Sequence, residues 1–170
     1  MNVIEPPQML AKILTVSDGV IAGTRENRSG RALDEFLCGQ GYSVIESRVS
    51  PDGTEPVAKA LLEMAESFAG VIVTTGGTGF SRRDLTPEAT RSVIEREAPG
   101  FAEYMRAANR LGMLSRGVAG CIGGALILNT PGSPNGCVEM LSAVIDLVPH
   151  AVALLSDPAA VHPKTTQGEP

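Results

Sequence analysis

The chain has no run of lysines or arginines, no apolar stretch approaching the roughly 20 residues needed to cross a bilayer, and no C-x-x-C pair. Each absence removes a class of function. With a net charge of −5 and no basic cluster, an extended nucleic-acid surface and a membrane partner are excluded, so any anion site must be local. The three cysteines, Cys38, Cys121 and Cys137, are widely spaced. That spacing indicates neither a disulfide framework nor a zinc site, and it predicts reduced thiols in or near the core. His150 and His162 are separate, one in an expected late helix and one in a Pro-rich tail, and neither is assigned a chemical role. The start MNVIEPPQML lacks the basic segment and long apolar run of a signal peptide, so a cytoplasmic location is expected.

With 170 residues, 43% of them hydrophobic and 19% charged, the chain suits one compact domain with one good core. Residues 9–156 are expected to fold, flanked by Pro-rich polar ends at 1–8 and 157–170 that should be mobile. Strands are predicted at Ala11–Val16, Tyr42–Val49, Val71–Thr75 and Ala125–Asn129, separated by segments of helical apolar spacing. Ala32, Leu33, Phe36 and Leu37 mark one helix, and Val57, Leu61, Leu62, Met64, Ala65 and Phe68 a second. A third is predicted from Thr86 to about Glu97, broken by Pro99-Gly100 and resumed from Phe101 to Leu111. The last is predicted over Cys137–Leu155, with Pro149 kinking or ending it. This alternation gives an α/β fold: three α/β/α layers around a mostly parallel central sheet.

The most informative stretch is Val71 to Thr90, VIVTTGGTGFSRRDLTPEAT. A buried-strand signal runs into Gly76-Gly77-Thr78-Gly79, which lets backbone approach a ligand without Cβ clashes. Thr86 is the expected N-cap hydroxyl of the following helix, with Pro87 at its first position. The turn is not a Walker A loop, because the Gly-Lys-Ser/Thr ending is missing, and it is not the dinucleotide pattern. The Arg82-Arg83-Asp84 run beside it joins two guanidinium groups able to hold phosphate oxygens with a carboxylate able to hold Mg²⁺; the plain alternative is a solvated loop.

In an open α/β sheet ligands collect at the carboxyl ends of the strands. Ser17-Asp18, Asp52, Gly76 to Asp84 and Asn129 to Asn135 all follow predicted strands, so four loops are expected to meet in one pocket. Taken singly, each has a structural explanation: Asp52 as a cap near Thr54, Asn129 as a turn former, Pro131-Gly132 as a tight turn, Ser115 as a cap. None of these explains a shared edge.

TTGGTG followed by RRDLTPEAT resembles the signature of the MogA/MoaB family of molybdenum-cofactor biosynthesis proteins. Ser17-Asp18, Pro51-Asp52, Pro99-Gly100-Phe101, Leu114-Ser115-Arg116 and Leu126 to Pro134 (LILNTPGSP) resemble further family motifs in the family's order, covering roughly 10–155. The resemblance implies a molybdopterin-binding domain that adenylylates molybdopterin with ATP, releasing pyrophosphate. It implies Asp52 and Asp84 as the catalytic, Mg²⁺-organising carboxylates. It places Ser17, Thr78, Ser115 and Asn129 in the pterin-phosphate pocket, and Asp18, Gly76, Gly77, Gly79, Pro131 and Gly132 complete the expected substrate-binding set. A homotrimer, in some relatives a hexamer, is implied too, as is a molybdate-insertion enzyme of the same pathway as partner. Two departures stand out: the segment before Ser115 is shorter than in many relatives, with Asn109 replacing a family serine, and Ile122 stands where many carry a basic residue. The rival readings are a molybdopterin-binding carrier without turnover and a MoaB-type paralogue. Two carboxylates beside an anionic ligand disfavour a pure carrier, because they repel its phosphate unless a cation intervenes.

Overall fold

The computed structural model describes residues 8–157 and 159. The expected mobility of 1–8 and 157–170 falls almost entirely outside these, as does His162. Among the described residues one six-stranded sheet runs in the order β2-β1-β3-β6-β5-β4, with β1 Leu10–Val16, β2 Ser43–Ser50, β3 Gly70–Thr75, β4 Arg96–Glu97, β5 Ala119–Ile122 and β6 Ala125–Thr130. β2, β1, β3 and β6 are parallel, and β5 and β4 extend the sheet antiparallel.

Period-2 alternation places apolar residues on both faces. Ile13, Val71, Val73, Leu126 and Leu128 meet helices α2 (Arg28–Gly39), α5 (Pro99–Ala107), α6 (Pro134–Ser142) and α7 (Val148–Ser156). Leu14, Val16, Ile72 and Ile127 meet α3 (Thr54–Ala65) and α4 (Thr86–Val93) on the other face. Leu33, Leu61, Leu141 and Ile127 are fully buried, each worth about 1.5–3 kcal/mol of transfer free energy. The three-layer α/β/α expectation is therefore met.

Several boundaries differ from expectation. The third helix ends at Val93 because Ile94 turns extended and the chain joins the sheet, with Glu95 N–H donating to the Cys121 carbonyl and Ala98 N–H to that of Ala119. Gly120 permits this approach, since a Cβ there would meet Ile94 and Arg96. The next helix starts at Pro99 and ends at Ala107, followed by the 3-10 helix Arg110–Leu114. The last helix is two helices, and Pro149 lies in the first turn of the second, where its missing N–H needs no partner. A short helix α1, Asp18–Ile21, and strand β5 carry no strong sequence signal. Cys121 and Cys137 are buried but Cys38 is exposed; all three are free.

Register sets the level of the loops. Thr15 pairs with Thr75, Thr75 with Thr130 and Val16 with Ser50, so the loops after β1, β3, β6 and β2 begin side by side. β1 lies between β2 and β3, so the chain reverses across β1 and opens the crevice where such sheets bind ligands. The strand ends are polar yet buried: Thr74, Thr75, Asn129 and Thr130 are at most 2% exposed. Asn129 Nδ2 donates to Thr74 Oγ1 and Thr90 Oγ1, both at 3.0 Å, and its Oδ1 accepts from Val118 N–H at 3.2 Å. Thr90 donates to the Thr86 carbonyl and Thr130 to the Thr74 carbonyl.

Asn129→Ala leaves the Val118 N–H and two threonine hydroxyls short of partners, at a cost of about 1–3 kcal/mol. Urea unfolding should show a lower midpoint with an unchanged slope.

Candidate functional site

A cleft of about 1210 Å³ opens at this edge, larger than the ~300–1,000 Å³ typical of a site for one small ligand. Ser17, Asp52, Gly76, Gly77, Thr78, Gly79, Asp84, Ser115, Pro131 and Gly132 line it, so all four expected loops contribute. Asp18 and Asn129 do not line it. Asn129 is held beneath the floor by the hydrogen bonds given above, where burial left no choice but to pair its amide. Asp18 is engaged with its neighbours on either side. Asp18 N–H donates to Asp52 Oδ2 and Asp52 N–H to Asp18 Oδ1, both at 3.0 Å, and Asp18 Oδ2 pairs with Arg83. That exchange joins the loops after β1 and β2, and it replaces the cap expected of Asp52; α3 follows Gly53 with no side-chain cap.

The glycine turn is dictated first by the protein's own packing. Gly76 and Gly77 have φ of 99° and 65°, and a Cβ would strike the Val16 carbonyl at the first and the Thr86 hydroxyl at the second. Thr86 does not cap its helix: its hydroxyl donates to the Gly76 carbonyl at 3.0 Å and its N–H to the Gly77 carbonyl at 3.0 Å. A side chain at Gly79 would displace the Asp84 carboxylate, whose Oδ2 accepts from Ser81 N–H at 2.8 Å.

The hydroxyls suit an anion. Ser17 Oγ accepts from Val20 N–H at 3.3 Å and Ser115 Oγ from Gly117 N–H at 3.2 Å, so each keeps its own hydrogen to donate. Ser133 begins α6 at the cleft, where a helix N-terminus favours negative charge. Arg82 and Arg83 are exposed and outside the lining. Arg25, Glu26, Arg28 and Glu139 line the cleft without a sequence signal, Glu26 pairs with Arg28, and Asn109, which stands where the family has a serine, lines it too. Arg116 was legible only as part of a motif; it binds the Gly79 carbonyl at 2.7 Å, the Asp84 carbonyl and Glu88. Ile122 ends β5 and His150 lies on α7, neither in the cleft lining.

Burial, and then the charge of Asp84, raise the pKa of Asp52 above the ordinary carboxylate value. Among the described residues no three His, Cys, Asp or Glu groups form a metal cage. Two mutually repelling carboxylates fit Mg²⁺, which takes one or two carboxylates and fills its shell with water and phosphates.

These features define a doubly wound α/β protein with a polar cleft at the switch point of its sheet. The model for the "Probable molybdopterin binding domain" matches residues 12–150, and the chain belongs to that family. It is 36% identical to the molybdopterin adenylyltransferase of Helicobacter pylori strain J99, covering 84% of this chain and 85% of that one. It is 34% identical to that of Escherichia coli K12, with 86% and 85% covered. The crystal structure of the molybdopterin biosynthesis enzyme MoaB from Thermus thermophilus superposes with a TM-score of 0.82 at 43% identity, over 88% of this chain and 97% of that one.

A raised carboxylate pKa means that the folded state binds the proton more tightly than the unfolded chain. The favourable contribution is present below the unfolded pKa and is lost as pH rises through the folded one. Asp52→Asn keeps an oxygen for the Asp18 amide and removes the repulsion, so at pH 7 it should raise Tm by roughly 1–4 °C without Mg²⁺, with the gain shrinking toward pH 3 in differential scanning calorimetry.

Proposed function

We propose that this chain is a molybdopterin adenylyltransferase that uses Mg²⁺ and ATP. The observation that carries the reading is the meeting of Asp52 and Asp84, from separate loops, at one cleft that also presents the glycine turn and two donor-ready serines. A pure anion carrier gains nothing from a pair of carboxylates in which the charge of one makes the other harder to ionise. The cleft volume also suits two ligands side by side.

In the reaction a terminal phosphate oxygen of molybdopterin attacks the α-phosphorus of ATP. The new P–O bond forms as the bond to the bridging oxygen breaks, and pyrophosphate leaves with the electron pair. Little covalent help is needed from protein, so positioning and charge neutralisation carry the catalysis. Asp52 and Asp84 would hold Mg²⁺, which when bound neutralises phosphate charge. Ser17, Thr78, Ser115 and the backbone of Gly76 to Gly79 bind and orient the pterin phosphate, with Pro131 and Gly132 lying directly beside Gly76 on the same wall. Asp18 keeps Asp52 in register through the paired amides. Asn129 supports this wall from below. The proposal includes a homotrimer in the cytoplasm that passes adenylated molybdopterin to a molybdate-insertion enzyme. Among the described residues no helix is long and apolar enough to cross a membrane.

The 43% identity to a structure called MoaB favours a second reading, a MoaB-type paralogue without adenylyltransferase turnover, beside the molybdopterin carrier. Purified protein given Mg-ATP and molybdopterin decides between them. Pyrophosphate and adenylated molybdopterin should appear, and Asp52→Asn or Asp84→Asn should each lower kcat by roughly 10²-fold or more, since a metal supplies several kcal/mol. Tight pterin binding without product would establish the carrier instead.

A further inference from the structure

We propose that Arg116 is a positioning residue for Asp84, acting through the main chain, and not a phosphate ligand; this rests on the adenylyltransferase reading. An arginine next to an anion cleft is ordinarily taken for a bidentate phosphate binder. Here the fork is already occupied. Its Nε donates to the Gly79 carbonyl at 2.7 Å, one terminal nitrogen to the Asp84 carbonyl, and both terminal nitrogens to Glu88, while its own N–H donates to the Thr78 carbonyl at 2.8 Å. Glu88 answers with a pKa held below the ordinary carboxylate value, first by this hydrogen bond. Arg116 is absent from the residues lining the cleft.

The two carbonyls bracket the segment from Gly79 to Asp84, whose intervening residues Phe80, Ser81, Arg82 and Arg83 are all exposed. Within it the other ties are short: Asp84 N–H to the Ser81 carbonyl, Ser81 N–H to Asp84 Oδ2 and the surface pair of Arg83 with Asp18. An exposed segment with few buried contacts opens easily, so one planar cation gripping both of its ends fixes where the Asp84 carboxylate sits. Glu88, in the first turn of α4, anchors that cation to a rigid element. A lysine carries the charge but not the fork, and it cannot span both carbonyls and the carboxylate.

The test uses the full chain with Arg116→Lys, Asp84→Asn and the double variant. Mn²⁺ binding is followed by electron paramagnetic resonance with ATP present and molybdopterin omitted, and backbone amide exchange is followed over 79–84. Arg116→Lys should speed exchange in that segment and raise the Mn²⁺ concentration for half-saturation roughly 10-fold, as loss of a group that orients a metal ligand does. Molybdopterin affinity should hold within about two-fold, and the substitution should add little to Asp84→Asn, because both act through one carboxylate. Unchanged exchange and Mn²⁺ binding with weakened ATP or pterin affinity would overturn the proposal and make Arg116 a ligand. Independent, multiplying effects of the two substitutions would overturn it as well. A wild type that binds Mn²⁺ and ATP yet forms no product defeats the adenylyltransferase reading, and the exchange and metal measurements still decide the role of Arg116.

Discussion

The cleft stands on a constraint below it: the carboxyl ends of β3 and β6 are polar and have no access to water. Four side chains, Thr74, Thr75, Asn129 and Thr130, are sealed between layers of helices. Unpaired, each would carry the desolvation cost of a buried polar group; paired, they lock the strands to their neighbours. Asn129 reaches β3, α4 and the segment preceding β5 at once. Thr75 donates to the Pro131 carbonyl and Thr86 to that of Gly76, carrying the same bonding up into the two loops that face the ligand. No buried side-chain nitrogen or oxygen among the described residues is left without a partner. The wall of the site is thus fixed before any ligand arrives, which is the condition for electrostatic preorganisation.

Above that wall the chain keeps an unfavourable arrangement. The charge of Asp84 adds to the cost of ionising the half-buried Asp52, and the loops carrying the two are prevented from moving apart. Asp18 grips Asp52 through two amide–carboxylate bonds, Arg83 joins Asp18 to the third loop, and Arg116 holds the base of the segment that ends in Asp84. Arg83 and Arg116, which look like phosphate binders, therefore hold protein. Repulsion retained at a site and compensated around it is the usual relation between stability and activity. The Mg²⁺ proposed above would relieve it, with the phosphates of a nucleotide completing its shell.

Much of this was legible along the chain. β1, β3 and β6 announce themselves by apolar, β-branched runs, and the loops after them by glycine, proline and aspartate; ten of the twelve expected site residues line the cleft. The failures share one cause. β4 is only Arg96–Glu97, and it forms because β5 offers an open edge; a helix-like stretch was drawn into a sheet by hydrogen bonds from residues far away in sequence. β5 itself is four residues containing a glycine, too short for periodicity to register. The last helix split at 143–147 because its first part packs beside α2 and its second turns back over the sheet. Asn129 and Asp18 were placed in the pocket because they sit in the right loops, but the loop does not say which way a side chain turns.

The residue order alone determined the α/β alternation and the presence of a glycine turn followed by Asp84, because period and turn chemistry are local properties. Which polar groups face the ligand was decided only by tertiary structure. The same asparagine, threonine or arginine can bind an anion or satisfy a buried carbonyl, and the choice depends on what burial brings within about 3 Å of it. Gly77 and Thr86, nine positions apart, Asp18 and Asp52, and Arg116 and Asp84 become partners only once the sheet has closed.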